Sequence, residues 1–364
     1  MKIAQISPLY ESVPPKLYGG TERVVSYLTE ELVKLGHSVT LFASGDSKTS
    51  ANLISHNKEA LRLDSKVQDP LAHHIIQMQD VAERAHEFDV LHFHTDYLHF
   101  PFTNFINIPN ITTLHGRLDI PDLKPVYKKF NKKAVVSISN AQRNPLPRAN
   151  WVGTVYHGLP LDLYKKGKGD GDYVAFIGRI SPEKRPDRAI EIAKMAGIKL
   201  KIAAKIDKAD NEYFKNHIQK LLDQSHVEFI GEIGEKEKGD FLGKAKALLF
   251  PIDWPEPFGM VMIESIACGT PVIAYNNGSV PEVIDNGQSG YVVENISQAV
   301  TALENINMLN RTTVRQIFEE RFSATIMAKN YLNIYELLPR TKRPRTFIPM
   351  HQSIIKENGK KLVA

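Results

Sequence analysis

Apolar residues in the first 42 positions fall into two short runs with a helical pattern between them. Lys2-Ile3-Ala4-Gln5-Ile6-Ser7 reads as a strand buried on both faces, and it stops at Ser7-Pro8. After a loop carrying Pro14, Pro15, Gly19 and Gly20, apolar positions recur at helical spacing over 21–35, and Gly36 closes the pattern. A second run at 38–42 completes a strand, helix, strand unit whose parallel strands require a right-handed crossover. Further strands are predicted at 90–94, 111–114 and 134–138, with polar tips His94-Thr95-Asp96, His115-Gly116 and Ser139-Asn140. Loops at the carboxyl ends of parallel strands build the ligand crevice in such sheets, so these tips are expected along one edge.

From 163 to 172 the chain turns polar, glycine-rich and aperiodic, which reads as an interdomain connection. Beyond it, strand patterns at 173–177, 199–203, 227–230, 247–251 and 272–275 alternate with helical ones, and a last helix is predicted over 324–338. The chain thus divides into a domain at 1–160, a linker at 161–172 and a second domain at 173–322. A helix at 323–338, expected to cross back to the first domain, and a tail at 339–364 follow. A length of 364 residues agrees with two domains of ordinary size, and two domains imply a cleft.

With 42% hydrophobic and 24% charged residues, neither a disordered nor a fibrous chain is suggested. Neither a leader-like apolar segment nor an apolar stretch of spanning length stands out, and the single Cys268 cannot make an internal disulfide; a reducing, cytoplasmic setting is the expectation. The net charge of +5 originates in the tail, where Arg340, Lys342, Arg343, Arg345, Lys356, Lys360 and Lys361 face only Glu357. Such a tail either touches anionic lipid, peripherally at a membrane surface, or is a solvated end. The basic stretches lack the interleaved aromatics of a nucleic-acid binder.

Three stretches carry chemistry. Glu256-Pro-Phe-Gly-Met-Val-Met-Ile-Glu264 places one carboxylate just before a helix start and a second inside the helix; the open amides around Gly259, Met260 and Val261 suit a phosphate or a sugar hydroxyl. Gly178-Arg-Ile-Ser-Pro-Glu-Lys184 puts two cations at a strand end, with a helix start read at Ser181-Pro182-Glu183. Gly19-Gly20 allows close approach of backbone to an anion. Taken singly, each is as readily a turn or a solvated surface.

Together with Thr113-Leu-His-Gly116, the segment Tyr18 to Phe42 and Val155-Tyr-His-Gly-Leu-Pro-Leu-Asp162, they resemble the motifs of the family 4 retaining glycosyltransferases, in order and over most of residues 1–338. His157 stands where that family more often has asparagine. The resemblance implies a GT-B fold, two facing Rossmann-like α/β domains with a doubly wound parallel sheet in each. It implies transfer of a hexose-type sugar from a nucleotide diphosphate sugar to a hydroxyl acceptor (glycan, lipid-linked or small-molecule), with retention and without a metal or other cofactor. It assigns Arg179 and Lys184 to the diphosphate, Glu264 to the donor ribose and Glu256 and His115 to the donor sugar. Gly19, Gly20, Phe258, Gly259, Met260 and Val261 take contacts along the donor, and the base rests on the loop holding Gly231, Glu232 and Ile233. Two other readings share these motifs: an epimerase of nucleotide sugars and a non-catalytic nucleotide-sugar binder. Asp170-Gly-Asp172 reads as linker rather than a metal motif, His92, His94 and His99 lack the spacing of a zinc site, and Cys268 reads as a packing residue.

Overall fold

The computed structural model describes residues 1–16 and 19–339; Tyr18 and the basic tail from Arg340 lie outside the described residues. The first domain runs β1 (Lys2–Ile6), α1 (Gly20–Lys34), β2 (Ser38–Phe42), β3 (Asn52–Ile54), α2 (Pro70–Arg84), β4 (Val90–Phe93), β5 (Asn110–Thr113), α3 (Leu123–Lys129), β6 (Val135–Ser137) and β7 (Trp151–Thr154). The second runs β8 (Tyr173–Arg179), α4 (Pro186–Met195), β9 (Lys199–Lys205), α5 (Asn211–Tyr213), β10 (Val227–Gly231), α6 (Glu235–Lys244), β11 (Leu248–Phe250), α7 (Met260–Ala267), β12 (Val272–Tyr275), α8 (Val280–Val283), β13 (Gly290–Val293), α9 (Ile296–Glu304) and α10 (Arg311–Arg321). A final helix, α11 (Ala324–Leu337), returns to the first domain.

Both sheets are parallel, in the orders β3-β2-β1-β4-β5-β6-β7 and β10-β9-β8-β11-β12-β13. Each begins from the doubly wound 3-2-1-4-5-6 arrangement, whose strand order reverses beside its first strand. The crevices therefore open at the carboxyl ends of β1 and β4 in one domain and of β8 and β11 in the other. β3, β7 and β13 escaped the sequence reading: β3 and β7 carry no fully buried residue, and β13 has only its ends buried.

One expectation is corrected. No helix starts at Ser181-Pro182-Glu183: Ser181 to Arg185 form a turn, Arg185 has φ 51°, and α4 begins at Pro186. The ring of Pro186 disfavours helical backbone at the residue before it but suits a first helical position. The glycine-rich linker is held against the second domain. Gly167, Gly169 and Gly171 donate backbone hydrogen bonds to Cys268, Gly243 and Lys244 at 2.9, 3.0 and 2.9 Å, and the Arg311 guanidinium ties Gly167 to Gly243.

The chain crosses between domains where Leu159 pairs with Ser323. Gly158 is required there, because a Cβ would lie 2.4 Å from the Ser323 carbonyl oxygen. Beyond it α11 buries Met327, Ala328, Tyr331, Ile334 and Tyr335, in an apolar core that runs through both domains. Among the described residues no helix is long and apolar enough to cross a membrane.

Candidate functional site

A cleft of about 1210 Å³ lies between the domains, at the strand ends that the topology marks. Gly19, Gly20, His115, Arg179, Lys184, Ile233, Glu256, Phe258, Gly259, Met260, Val261 and Glu264 all line it.

The C-terminal wall is built on β8, β11 and α7. Arg179 ends β8, and its guanidinium lies between Glu183 (3.4 Å) and Asp210 (3.3 Å). Lys184 is ion-paired with Glu256, and its ammonium sits over the rings of Trp254 (5.1 Å) and Phe250 (5.4 Å). Trp254 Nε1 donates to the same Glu256 oxygen at 3.1 Å. Gly259, with φ 76°, turns the chain into α7; a Cβ there would meet Met262 Cε at 2.7 Å and Glu256 Cγ at 3.3 Å. Only glycine meets both demands, and the turn leaves the first amides of α7 without earlier helical partners. Glu264, within α7, accepts from Lys238 Nζ at 2.8 Å and is nearly buried.

The N-terminal wall brings in the Gly19-Gly20 loop before α1 and the tips of β4 and β5. His115 Nε2 lies 2.8 Å from His94 Nδ1, and its ring stacks at 5.2 Å on that of His157. Burial holds the His115 imidazole down at about 3 and pushes His94 and His157 below their ordinary range, so all three rings are neutral at neutral pH. Glu22, in the first turn of α1, is buried in the same wall; burial, aided by the charge of Glu11, pushes its carboxyl up to about 7.

Of the polar strand tips, His94-Thr95-Asp96 and His115-Gly116 reach the cleft, whereas Ser139-Asn140 does not. The amides of Asn140 and Ala141 instead donate to the Glu282 carboxylate of the second domain, each at 2.7 Å. Asp172 pairs with Lys199 at the start of β8, roughly 20 Å of strand away from Arg179. His92 and His99 are engaged by Thr113 and Thr112. Among the described residues no group of three His, Cys, Asp or Glu side chains could hold a metal ion. Cys268 is buried, which pushes its thiol up to about 12.

Several cleft residues had no sequence signal. Lys238 lies in the charged run Glu235-Lys-Glu-Lys238, indistinguishable from a solvated helix start, and Arg117 sits in a loop. Arg117 reaches Glu183 at 3.3 Å across the cleft, and Tyr27 and Arg23 of α1 reach Glu235 at 2.5 and 2.7 Å.

Solved structures share this two-domain arrangement. A glycosyltransferase involved in avilamycin A biosynthesis superposes with a TM-score of 0.68 at 24% identity, covering 92% of this chain and 97% of the other. Anabaena HepE in complex with UDP gives 0.71 at 18% identity, covering 93% and 100%. The fold is thus GT-B, the two-domain glycosyltransferase class. Residues 18–162 match the model described as Glycosyltransferase Family 4 and residues 164–321 that described as Glycosyl transferases group 1. The two matches together take in most of the chain, which belongs to this glycosyltransferase family. An uncharacterized glycosyltransferase of Methanocaldococcus jannaschii is 24% identical over 358 residues, covering 89% of this chain and 97% of the relative.

Proposed function

We propose that the chain is a retaining, metal-independent hexosyltransferase that takes its sugar from a nucleotide diphosphate donor and gives it to a hydroxyl acceptor. The observation that carries this reading is the grouping on one cleft wall of two cations, two carboxylates and a helix start, with a neutral histidine on the other wall. In this reading Arg179 and Lys184 grip the diphosphate, Glu264 the ribose, and Glu256 with the Phe258–Val261 backbone the sugar. Gly19-Gly20 approaches the phosphates and the loop at Ile233 supports the base.

The chemistry follows from charge. Departure of a nucleoside diphosphate builds negative charge on the leaving oxygen, and fixed cations in a dry cleft stabilise that charge more in the transition state than in the ground state. Lys184 has three donors, so it can keep Glu256 and still meet a phosphate oxygen. The contacts of Arg179 with Glu183 and Asp210 are long, which allows the guanidinium to exchange them for a diphosphate. In a front-face reaction the leaving oxygen takes the acceptor proton while the sugar passes through an oxocarbenium-like state. Binding of UDP by Anabaena HepE supports a nucleotide donor.

The test incubates the protein with UDP-, GDP- and ADP-sugars, with and without a panel of hydroxyl acceptors, and follows the anomeric signals by NMR. Transfer that keeps the donor's anomeric configuration, without added divalent metal, is expected. A new sugar nucleotide formed without acceptor would mean an epimerase, and donor binding without turnover on any acceptor would mean a binding protein.

A further inference from the structure

The N-terminal wall contains a buried chain of hydrogen bonds that ends on His115. Gln5, in β1, is completely buried. Its amide nitrogen donates to the Tyr335 hydroxyl of α11 at 3.2 Å and points at His92 Nδ1 at 3.4 Å. Its carbonyl oxygen lies 2.8 Å from His94 Nε2. With the amide so oriented the carbonyl can only accept, so His94 Nε2 carries the proton; a neutral imidazole then leaves His94 Nδ1 as an acceptor. His115 Nε2, 2.8 Å away, must donate to it. The second nitrogen of His115, Nδ1, is then a bare lone pair, buried and without a hydrogen-bond partner, on a residue that lines the cleft.

An unpaired buried acceptor is costly, a feature that a purely structural histidine would shed by turning to a partner. Tyr335 also meets His92 Nδ1 at 2.7 Å, and His92 Nε2 meets Thr113 Oγ1 at 2.7 Å: accepting from Gln5, the Tyr335 hydroxyl gives its own proton to His92 Nδ1, so this side of the network agrees with the same orientation of the amide.

We propose that His94 is a positioning residue: oriented by Gln5, it holds His115 as the Nε2–H tautomer so that Nδ1 accepts a hydroxyl of the sugar being transferred. This rests on the donor reading above and deepens it. A neutral, acceptor-only nitrogen welcomes a hydroxyl and repels a phosphate oxygen, so the device sets which end of the donor meets this wall.

The test reads the tautomer directly, by long-range proton–nitrogen correlation on the full-length protein with labelled histidine, before any variant is made. Wild type is expected to show a neutral His115 with its proton on Nε2; a proton on Nδ1, or a charged ring, overturns the proposal. His94→Leu removes the acceptor, whereas His94→Asn returns a polar atom near the position of Nδ1. His94→Leu is expected to mix the two tautomers and lower kcat about tenfold or more, as when a reacting histidine loses its tautomer, with donor KM much less affected. His94→Asn is expected to recover most of both. Loss of kcat with the tautomer unaltered, or unaltered kcat with the tautomer mixed, contradicts the proposal. Should His94→Leu not fold, Gln5→Met, which frees His94 Nε2, is expected to mix the tautomers instead, and an unmixed His115 contradicts the proposal. A wild-type protein that shows the expected tautomer but turns over no sugar nucleotide defeats the transferase reading and leaves the positioning of His115 standing.

Discussion

Glu256 and Glu264 fall on one wall because a glycine turn and a helix of period 3.6 carry the chain from the first to the second. Lys238, 26 positions before Glu264, was not legible, because the packing of α6 on α7 makes that pair and no local pattern encodes it. Gly20 lets the two effects be separated. A Cβ there would meet nothing within 4 Å, and Gly20 is the first residue of α1, so Gly20→Ala leaves the fold intact or adds up to about 1 kcal/mol through helix propensity. If the loop's backbone approaches the donor diphosphate, the same change raises donor KM several-fold. Thermal unfolding and donor titration of the variant read the two effects, and an unchanged KM removes Gly20 from the donor site.

At the scale of elements, periodicity marked the buried strands and the long amphipathic helices, and it missed what is short or exposed. β2 and β12 matched the sequence reading to the residue: Val272 to Tyr275 is an unbroken apolar run, and Ser38 to Phe42 is bounded by Gly36 and by Ala43-Ser44-Gly45. The start of α4 was misread because Ser181-Pro182-Glu183 has the composition of a cap, and the second proline, Pro186, decides the matter. The role of α11 rests on Tyr331 and Tyr335, whose hydroxyls reach Thr113, Gln5 and His92 in the first sheet. Tyr335→Phe keeps the ring and strands Gln5 and His92, at a cost of about 1–3 kcal/mol. Denaturant unfolding should show a lower midpoint; an unchanged one would mean that the hydroxyl contributes no net stability.

Across the whole molecule the two domains are tied by Arg117 to Glu183, by Arg23 and Tyr27 to Glu235, and by Glu282 to the 140–141 backbone. None of these was legible, since each joins domains that the sequence reading could only place side by side. Buried histidines make the whole fold sensitive to acid. Burial lowers His92, His94, His99, His115 and His157, so below about pH 6.5 the unfolded chain takes up protons that the folded one refuses. Their contribution is complete above that pH and is lost as pH falls towards the folded values, by up to about 1.4 kcal/mol per group per pH unit. Glu22 acts in the opposite sense: its raised value favours the folded state below about pH 4.3 and that advantage fades as pH rises through about 7. Asp96, pushed up to about 6, acts in the same sense as Glu22, and two carboxyls do not offset five imidazoles, so the urea midpoint at pH 5.5 should lie below that at pH 7.5; an equal or higher midpoint would contradict the buried neutral state.

In the proposed function Arg179 and Lys184 hold a nucleoside diphosphate in the cleft and stabilise the charge that develops as it leaves. Calorimetric titration with UDP, GDP and ADP, on wild type and on Arg179→Ala, joined to turnover at saturating donor, tests it most directly. One of these nucleotides is expected to bind wild type and to bind Arg179→Ala more weakly, with the variant's barrier to transfer higher by about 3 kcal/mol. Undiminished affinity together with undiminished turnover in Arg179→Ala would contradict it.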